Sequence, residues 1–417
     1  MRLVKKLSAK IDRINSKGQG VVLDKSNGSV TEIPFSLPDE TIEYSHYEGK
    51  VGDINVKVCS PHRVKPNCPQ FQKCGGCSLQ HASESFVTDW KTSIVSKELA
   101  DKGLYPKYFS TYVMPERSRR RAVFSGRRTK KGTIVGFKSY RSDQIVTTMG
   151  CIVIDKKILS FLPGMEEITA LGCTRSSTIK IHVSVSENGL DVLVKSGKLL
   201  NRFLIGQLTK IAVQWNLARL SWNGELILSP KPPFQNYGRV KITPPEEFFM
   251  QATKEAEDIM VEAASKALEG QKNVVDLFCG SGTFSLPLSK GRNIIAFEKS
   301  SKMLNALDFA SRHNSSFRAI RTRSRNLFKN PVSKDELSSV DGAVVNPPRA
   351  GARSQCRELA KSNVSKIILV SCNPTTFALD SEILVNGSYK LDSVCVIDQF
   401  RWSHHIEVLA IFSKVNK

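Results

Sequence analysis

Apolar residues recur in three different rhythms in this 417-residue chain. In residues 1–58, short runs at 4–14, 21–23 and 54–58 are broken by turn formers, Gly18-Gln19-Gly20 before the second and Asn27-Gly28 after it. Period-two runs with frequent turns predict a small β-barrel, because alternate side chains of a half-buried strand face the core. From 107 to 240, basic strand-like runs such as 134–138 and 179–185 mix with a few short helical segments, which predicts an α+β central domain. After about 244 the rhythm changes again. Ile259, Met260, Ala263, Ala264, Ala267 and Leu268 recur at helical spacing over 254–268, with Thr253 placed to cap the start and Gly270 to end the run. β-Rich runs at 274–278, 294–297, 342–345, 367–370 and 394–397 alternate with helix-length segments, the mark of a doubly wound α/β sheet. The run 408–412 follows 394–397 too closely for a helical crossover, so these two strands are expected to pair antiparallel.

Charge adds a partner to this picture. Lys+Arg number 61 against 39 Asp+Glu, a net charge of +22, which favours a polyanion. The cations cluster: Arg117, Arg119, Arg120 and Arg121 precede Arg127, Arg128, Lys130 and Lys131, and Arg318, Arg321, Arg323 and Arg325 form a second group. Neither a long apolar run nor a signal-peptide core is found, so a cytoplasmic protein without a membrane partner is expected. In that reducing setting the ten cysteines are expected to be ligands, nucleophiles or buried thiols rather than disulfides.

Five motifs carry candidate chemistry. Asp276-Leu277-Phe278-Cys279-Gly280-Ser281-Gly282 follows a predicted strand, and its glycines let the backbone turn tightly beside a ligand. Glu298 ends the next strand, where an acidic side chain can accept from both hydroxyls of a ribose. Position 285 is Ser, not the third glycine of a dinucleotide fingerprint, so a methyl-donor nucleoside fits better than NAD. Cys68, Cys74 and Cys77 lie on a Pro- and Gly-rich loop, with Cys151 far downstream and Cys59 competing as fourth ligand. Four thiolates suit zinc or a four-iron cluster, and spacing alone does not separate the two. Asn346-Pro347-Pro348-Arg349 forms a stiff turn after a strand, Ser371-Cys372-Asn373-Pro374 offers a nucleophile at the end of the following strand, and Glu407 enters the last strand as a candidate base.

Together and in this order, these motifs resemble the RNA 5-methyluridine (uracil-C5) methyltransferase family, in particular its iron–sulfur branch acting on 23S ribosomal RNA. The resemblance covers nearly the whole chain and adds Gln80-His81 behind Cys74-Gly75-Gly76-Cys77, and Phe249-Met250-Gln251 ahead of the last domain. It implies a TRAM-type barrel (1–58), a central iron–sulfur and RNA-binding domain (59–243) and a Rossmann-like S-adenosylmethionine-dependent methyltransferase domain (244–417). It implies a [4Fe-4S] cluster on Cys68, Cys74, Cys77 and Cys151; because these lie far from Cys372 in sequence and in different motifs, the cluster is expected to be structural or RNA-positioning, without a redox step. S-adenosylmethionine would draw on Gln251, Phe278, Gly280, Glu298 and Asn346, the last in the segment that contacts the target base. Cys372 would attack the uracil ring, Glu407 would act as base, and the partner would be ribosomal RNA bound by a monomer. Transfer RNA is the alternative substrate, and an RNA-binding iron–sulfur homologue with weakened catalysis the alternative class. Two positions depart from the family: Asn346 stands where Asp is usual, and Asn326 where an acidic residue often reads the donor's adenine. Asn still donates and accepts at a uracil edge.

Overall fold

The computed structural model describes residues 5–24, 28–47, 50–314 and 320–415, so Val4, Asn27 and Arg318 lie outside the described residues. Its largest element is an eight-stranded sheet in the order Ile320–Ser324, Asn293–Glu298, Asn273–Leu277, Gly342–Val345, Lys366–Ser371, Glu407–Lys414, Tyr389–Asp398 and Tyr108–Val113. The first five strands are parallel neighbours, and Glu407–Lys414 runs antiparallel between Lys366–Ser371 and Tyr389–Asp398, as the short 398–406 connection requires. Successive residues of the inner strands serve opposite cores. Val275, Leu277, Val345, Ile367 and Leu369 pack on one face, while Val274, Val344, Ile368 and Val370 pack on the other. Both faces are therefore covered, which explains apolar runs without alternation. Lys254–Ala267 covers the second face with Ala256, Met260 and Ala264, and Thr253 Oγ1 accepts from Ala256 N at its start. A cap of this kind contributes about 1 kcal/mol.

Segments before residue 243 also join the sheet of the last domain. Helix Glu84–Ala100 sends Val95 and Leu99 into one core of the eight-stranded sheet, and Tyr108–Val113 completes the sheet edge parallel to Tyr389–Asp398. Strand pairing between segments this distant in sequence leaves no local periodicity to read. The remaining central segment forms a seven-stranded sheet from Ile145–Thr147 to Glu225–Leu228, with Leu162–Gly172 and Arg202–Gln214 packed on it around Phe124, Ile181, Val192 and Trp222. At the N-terminus, two three-stranded sheets enclose Ile11, Ile33, Ile42 and Tyr44. Among the described residues no helix is long and apolar enough to cross a membrane.

Candidate active site

Parallel strands end on one edge of a sheet, and ligands of such folds gather there. This edge carries the Phe278–Gly282 turn, Glu298, Asn346, Cys372 and Gln399, and the antiparallel last strand begins there with Glu407. Beyond Leu277 the backbone takes positive φ at Phe278 (63°), Gly280 (55°) and Gly282 (94°). A Cβ on Gly282 would come within 2.5 Å of Leu307, so packing excludes a side chain, whereas one on Gly280 would meet nothing within 4 Å. The backbone hand and open space at Gly280 suit the close approach of a ligand. Glu298 faces this turn: its Oε2 accepts from Gly280 N at 3.3 Å, and its Oε1 from Lys299 N and Ser300 N at 2.8 and 2.9 Å. Beneath it, Asp276 is buried with Oδ2 accepting from Ser285 Oγ and Oδ1 without a partner among the described residues. Burial pushes its carboxyl up to about 7, and the nearby Glu298 acts in the same direction.

Phe278 stacks obliquely on the exposed Phe328 with ring centroids 5.3 Å apart, giving the turn an aromatic wall that the sequence reading missed. Asn326 caps that segment by accepting from Phe328 N at 3.2 Å. Asn346 N donates to Leu277 O at 3.1 Å, which brings the Asn-Pro-Pro turn beside the donor loop. The Arg349 carbonyl accepts from Asn373 Nδ2 at 3.2 Å, tying this turn to the nucleophile motif.

Ser371 pairs with Val408 across the two antiparallel strands, so one step toward the edge places Cys372 and Glu407 at the same end of the pair. Burial raises the Cys372 thiol and Glu407 raises it further, while Arg349 pulls it down. Glu407 is pushed up to about 7 by burial, against a hydrogen bond from Gln399 and the charge of Arg121. A carboxyl poised near neutrality can exchange a proton in either direction. Gln399 Nε2 donates to Glu407 Oε2 at 2.9 Å and to Gln251 Oε1 at 2.8 Å, so the predicted donor-side glutamine and the predicted base are linked through a residue that no motif had singled out. A polar residue just past a strand was the only signal for it.

The arginine run is divided: Arg117 is exposed, Arg119 and Arg121 are half-buried and Arg120 is buried. Arg120 is buried and ion-paired with Glu257, its Nε donating to Gln251 O at 3.0 Å. Arg121 lies over the Phe249 ring at 4.8 Å, and burial together with Arg119 and Arg120 lowers it to about 10. Arg120 and Arg121 thus pack beside Gln251 and Phe249, Arg119 lines the same cavity as Cys77 and Cys151, and Lys130 and Lys131 are exposed.

Cys68, Cys74, Cys77 and Cys151 line one cavity of about 880 Å³, which also takes in Cys372, Arg349, Phe400, His404 and His405. Gln251, Gly280, Glu298, Asn346 and Glu407 are not among its lining residues. Although distant in sequence, the four cysteines and the candidate nucleophile line one cavity. Contact runs through the backbone as well, since Ser78 N and Leu79 N donate to Trp402 O at 2.9 and 3.0 Å in the loop that leads to Glu407. Burial pushes the Cys77 thiol up to about 12, with Gln80 opposing and Cys151, Cys74 and Cys68 adding to the rise; Cys74 is raised likewise. The four sulfurs therefore feel one another's field, while Cys59 is exposed and outside the cavity lining. Buried thiols that resist ionisation become good ligands once a metal's charge compensates the thiolates, so this donor set fits a metal centre in chemistry. Among the described residues, however, no three such side chains stand close enough to hold a single metal ion.

The family described as "tRNA (Uracil-5-)-methyltransferase" matches residues 238–415. An "Uncharacterized RNA methyltransferase" of Rhizobium meliloti is 35% identical over 97% of this chain and 98% of its own. The "23S rRNA (uracil(1939)-C(5))-methyltransferase RlmD" of Shewanella woodyi is 29% identical over 99% of this chain and 96% of its own. Among solved structures, Pyrococcus abyssi tRNA (uracil-54, C5)-methyltransferase in complex with S-adenosyl-L-homocysteine superposes with a TM-score of 0.75 at 21% identity, over 97% of this chain and 99% of that one. That likeness fixes the fold as a Rossmann-like methyltransferase sheet with a strand-rich N-terminal part.

Proposed function

Given that this chain belongs to the RNA (uracil-5-)-methyltransferase family, we propose that it methylates carbon 5 of a uridine in 23S ribosomal RNA through a covalent adduct on Cys372. The register that sets Cys372 and Glu407 at the same end of their strand pair carries this mechanism. Carbon 5 of uracil is a poor nucleophile; once the Cys372 thiol has given its proton to solvent, addition of the thiolate to carbon 6 makes the ring an enolate with carbon 5 activated. Bound S-adenosylmethionine supplies the electrophilic methyl group. Glu407 then takes the carbon 5 proton, and Cys372 leaves as thiolate while the ring double bond reforms. Arg349 and the amino end of helix Pro374–Asn386 offset the thiolate's charge. The target uridine must be flipped or unpaired to reach a strand edge this enclosed.

Residues Gln251, Phe278, Gly280, Glu298 and Asn346 are assigned to the donor side, on the strength of the glycine turn and the Glu298 contact with it. We assign Cys68, Cys74, Cys77 and Cys151 to a [4Fe-4S] cluster, which would brace the 68–77 loop against the central sheet without a redox step. What supports this is that all four cysteines line one cavity and that burial raises the Cys77 thiol together with Cys151, Cys74 and Cys68. The strand-rich N-terminal part is assigned as a TRAM-type RNA-holding module. A single chain supplies every residue named, which suffices for a monomer.

The relative named for 23S rRNA matches nearly the whole chain and supports ribosomal RNA, while the matching family's description names tRNA. Mass-spectrometric mapping of methylated uridines in both RNAs, from a deletion strain and its complemented parent, tests the assignment. Loss of one 23S methyluridine is expected. Loss from tRNA alone would overturn the substrate, and no loss in either would overturn the activity.

A further inference from the structure

We propose that Gln399 is a positioning residue that fixes Glu407 as a proton acceptor and sets the pH range over which the methylated RNA is released. The inference rests on the catalytic reading above. An N–H can only meet an oxygen, so the bond from Ala252 N to Gln399 Oε1, at 2.8 Å, settles which way the amide faces. Its nitrogen must then point to the other side, where its two hydrogens go to Gln251 Oε1 and Glu407 Oε2. Gln399, Gln251 and Glu407 are all buried, and no donor or acceptor of the Gln399 amide is left over. Because Glu407 Oε2 receives a donor, it must offer a lone pair, which favours the carboxylate. The same clamp fixes the Gln251 amide, whose buried Nε2 has no partner among the described residues and faces outward from it as a donor.

Other charges around Glu407 do not replace this bond. Arg121, from the central sheet, favours the carboxylate through its charge, and Cys372, just past the end of the neighbouring strand, feels the Glu407 charge. Arg120 is engaged by Glu257, and Lys91 from helix Glu84–Ala100 is engaged by Asp398, just before Gln399. Gln399 alone places a hydrogen on a Glu407 oxygen among the hydrogen bonds found there.

The test follows single turnovers of the full-length protein, cluster intact, with S-adenosylmethionine and a 23S rRNA fragment from pH 6 to 9. Gln399→Leu, and the volume-matched Gln399→Met in case the first does not fold, should still form the RNA–protein adduct, with any slowing through the freed Gln251 the same at every pH. Release should be about fivefold slower at pH 7, recovering toward pH 9, as follows from a rise of about one pKa unit in a base near 7. A release profile superimposable on wild type in a folded variant overturns the inference. So does adduct formation and release slowed equally at every pH, which marks a merely structural residue. A wild type that gives neither methyluridine nor adduct instead overturns the underlying mechanism, so the two failures are distinguishable.

Discussion

Cys372 directly follows, and Glu407 directly precedes, the paired residues Ser371 and Val408 of two adjacent antiparallel strands, so the two lie at the same end of the pair. The nucleophile needs to lose a proton and the base to gain one, and each discourages charge on the other. Disabling them should therefore give opposite phenotypes. Cys372→Ala should abolish turnover and any adduct, because no bond to carbon 6 forms. Glu407→Gln should permit attack and methyl transfer but not proton removal, leaving methylated RNA on Cys372. A denaturing gel should show a retarded RNA–protein band for the Gln variant and none for Ala; methylation by Cys372→Ala would refute covalent catalysis.

Asp276 gives a pH-dependent stability. Its folded carboxyl is raised to about 7 by burial, above the ordinary 3.8. The stability it contributes is full below about 3.8 and is lost as pH rises through 7, because the unfolded form ionises more readily. Asp380, raised to about 6, acts in the same direction. Urea unfolding at pH 5 and pH 8 should show the protein weaker at pH 8, and Asp276→Asn should narrow that gap by on the order of 2–4 kcal/mol. An unchanged gap would mean that Asp276 is ionised in the folded protein.

Arg120→Ala should behave as a stability defect. It leaves Glu257 buried with only Lys254, at 2.9 Å, to compensate. A loss of about 3 kcal/mol is expected from removing one partner of a buried pair. The salt dependence of RNA binding should stay near wild type. Replacing the exposed Lys130 and Lys131 by Ala should instead flatten that slope. Filter binding across salt concentrations, beside thermal unfolding, separates the two effects.

Anaerobically purified protein should be brown, with iron and sulfide near four each per chain by the assignment of a [4Fe-4S] cluster. Cys77→Ser should bleach it, and because Ser78 and Leu79 hold Trp402, it should also loosen the loop before Glu407. Hydrogen exchange over 399–406 should then rise. A colourless wild type with one zinc would refute the cluster, and unchanged exchange would refute the coupling.

The sequence alone determined what local chemistry can encode. Apolar period set the helix over 254–267 and the parallel strands, the short 398–406 connection set the antiparallel last pair, and turn glycines set the hand of the loop at 280. Motif order then named the family, because each residue type sits in a short stretch whose spacing is readable. Tertiary structure decided whatever depends on segments meeting from afar. It gave Tyr108–Val113 to the last sheet, turned Arg120 inward to Glu257, placed Gln399 between Gln251 and Glu407, and brought the four cysteines into the cavity of Cys372. Hydrogen bonds and ion pairs between remote segments leave no period in the chain, and burial, which raises Asp276 and Glu407 toward 7, exists only once those segments have packed.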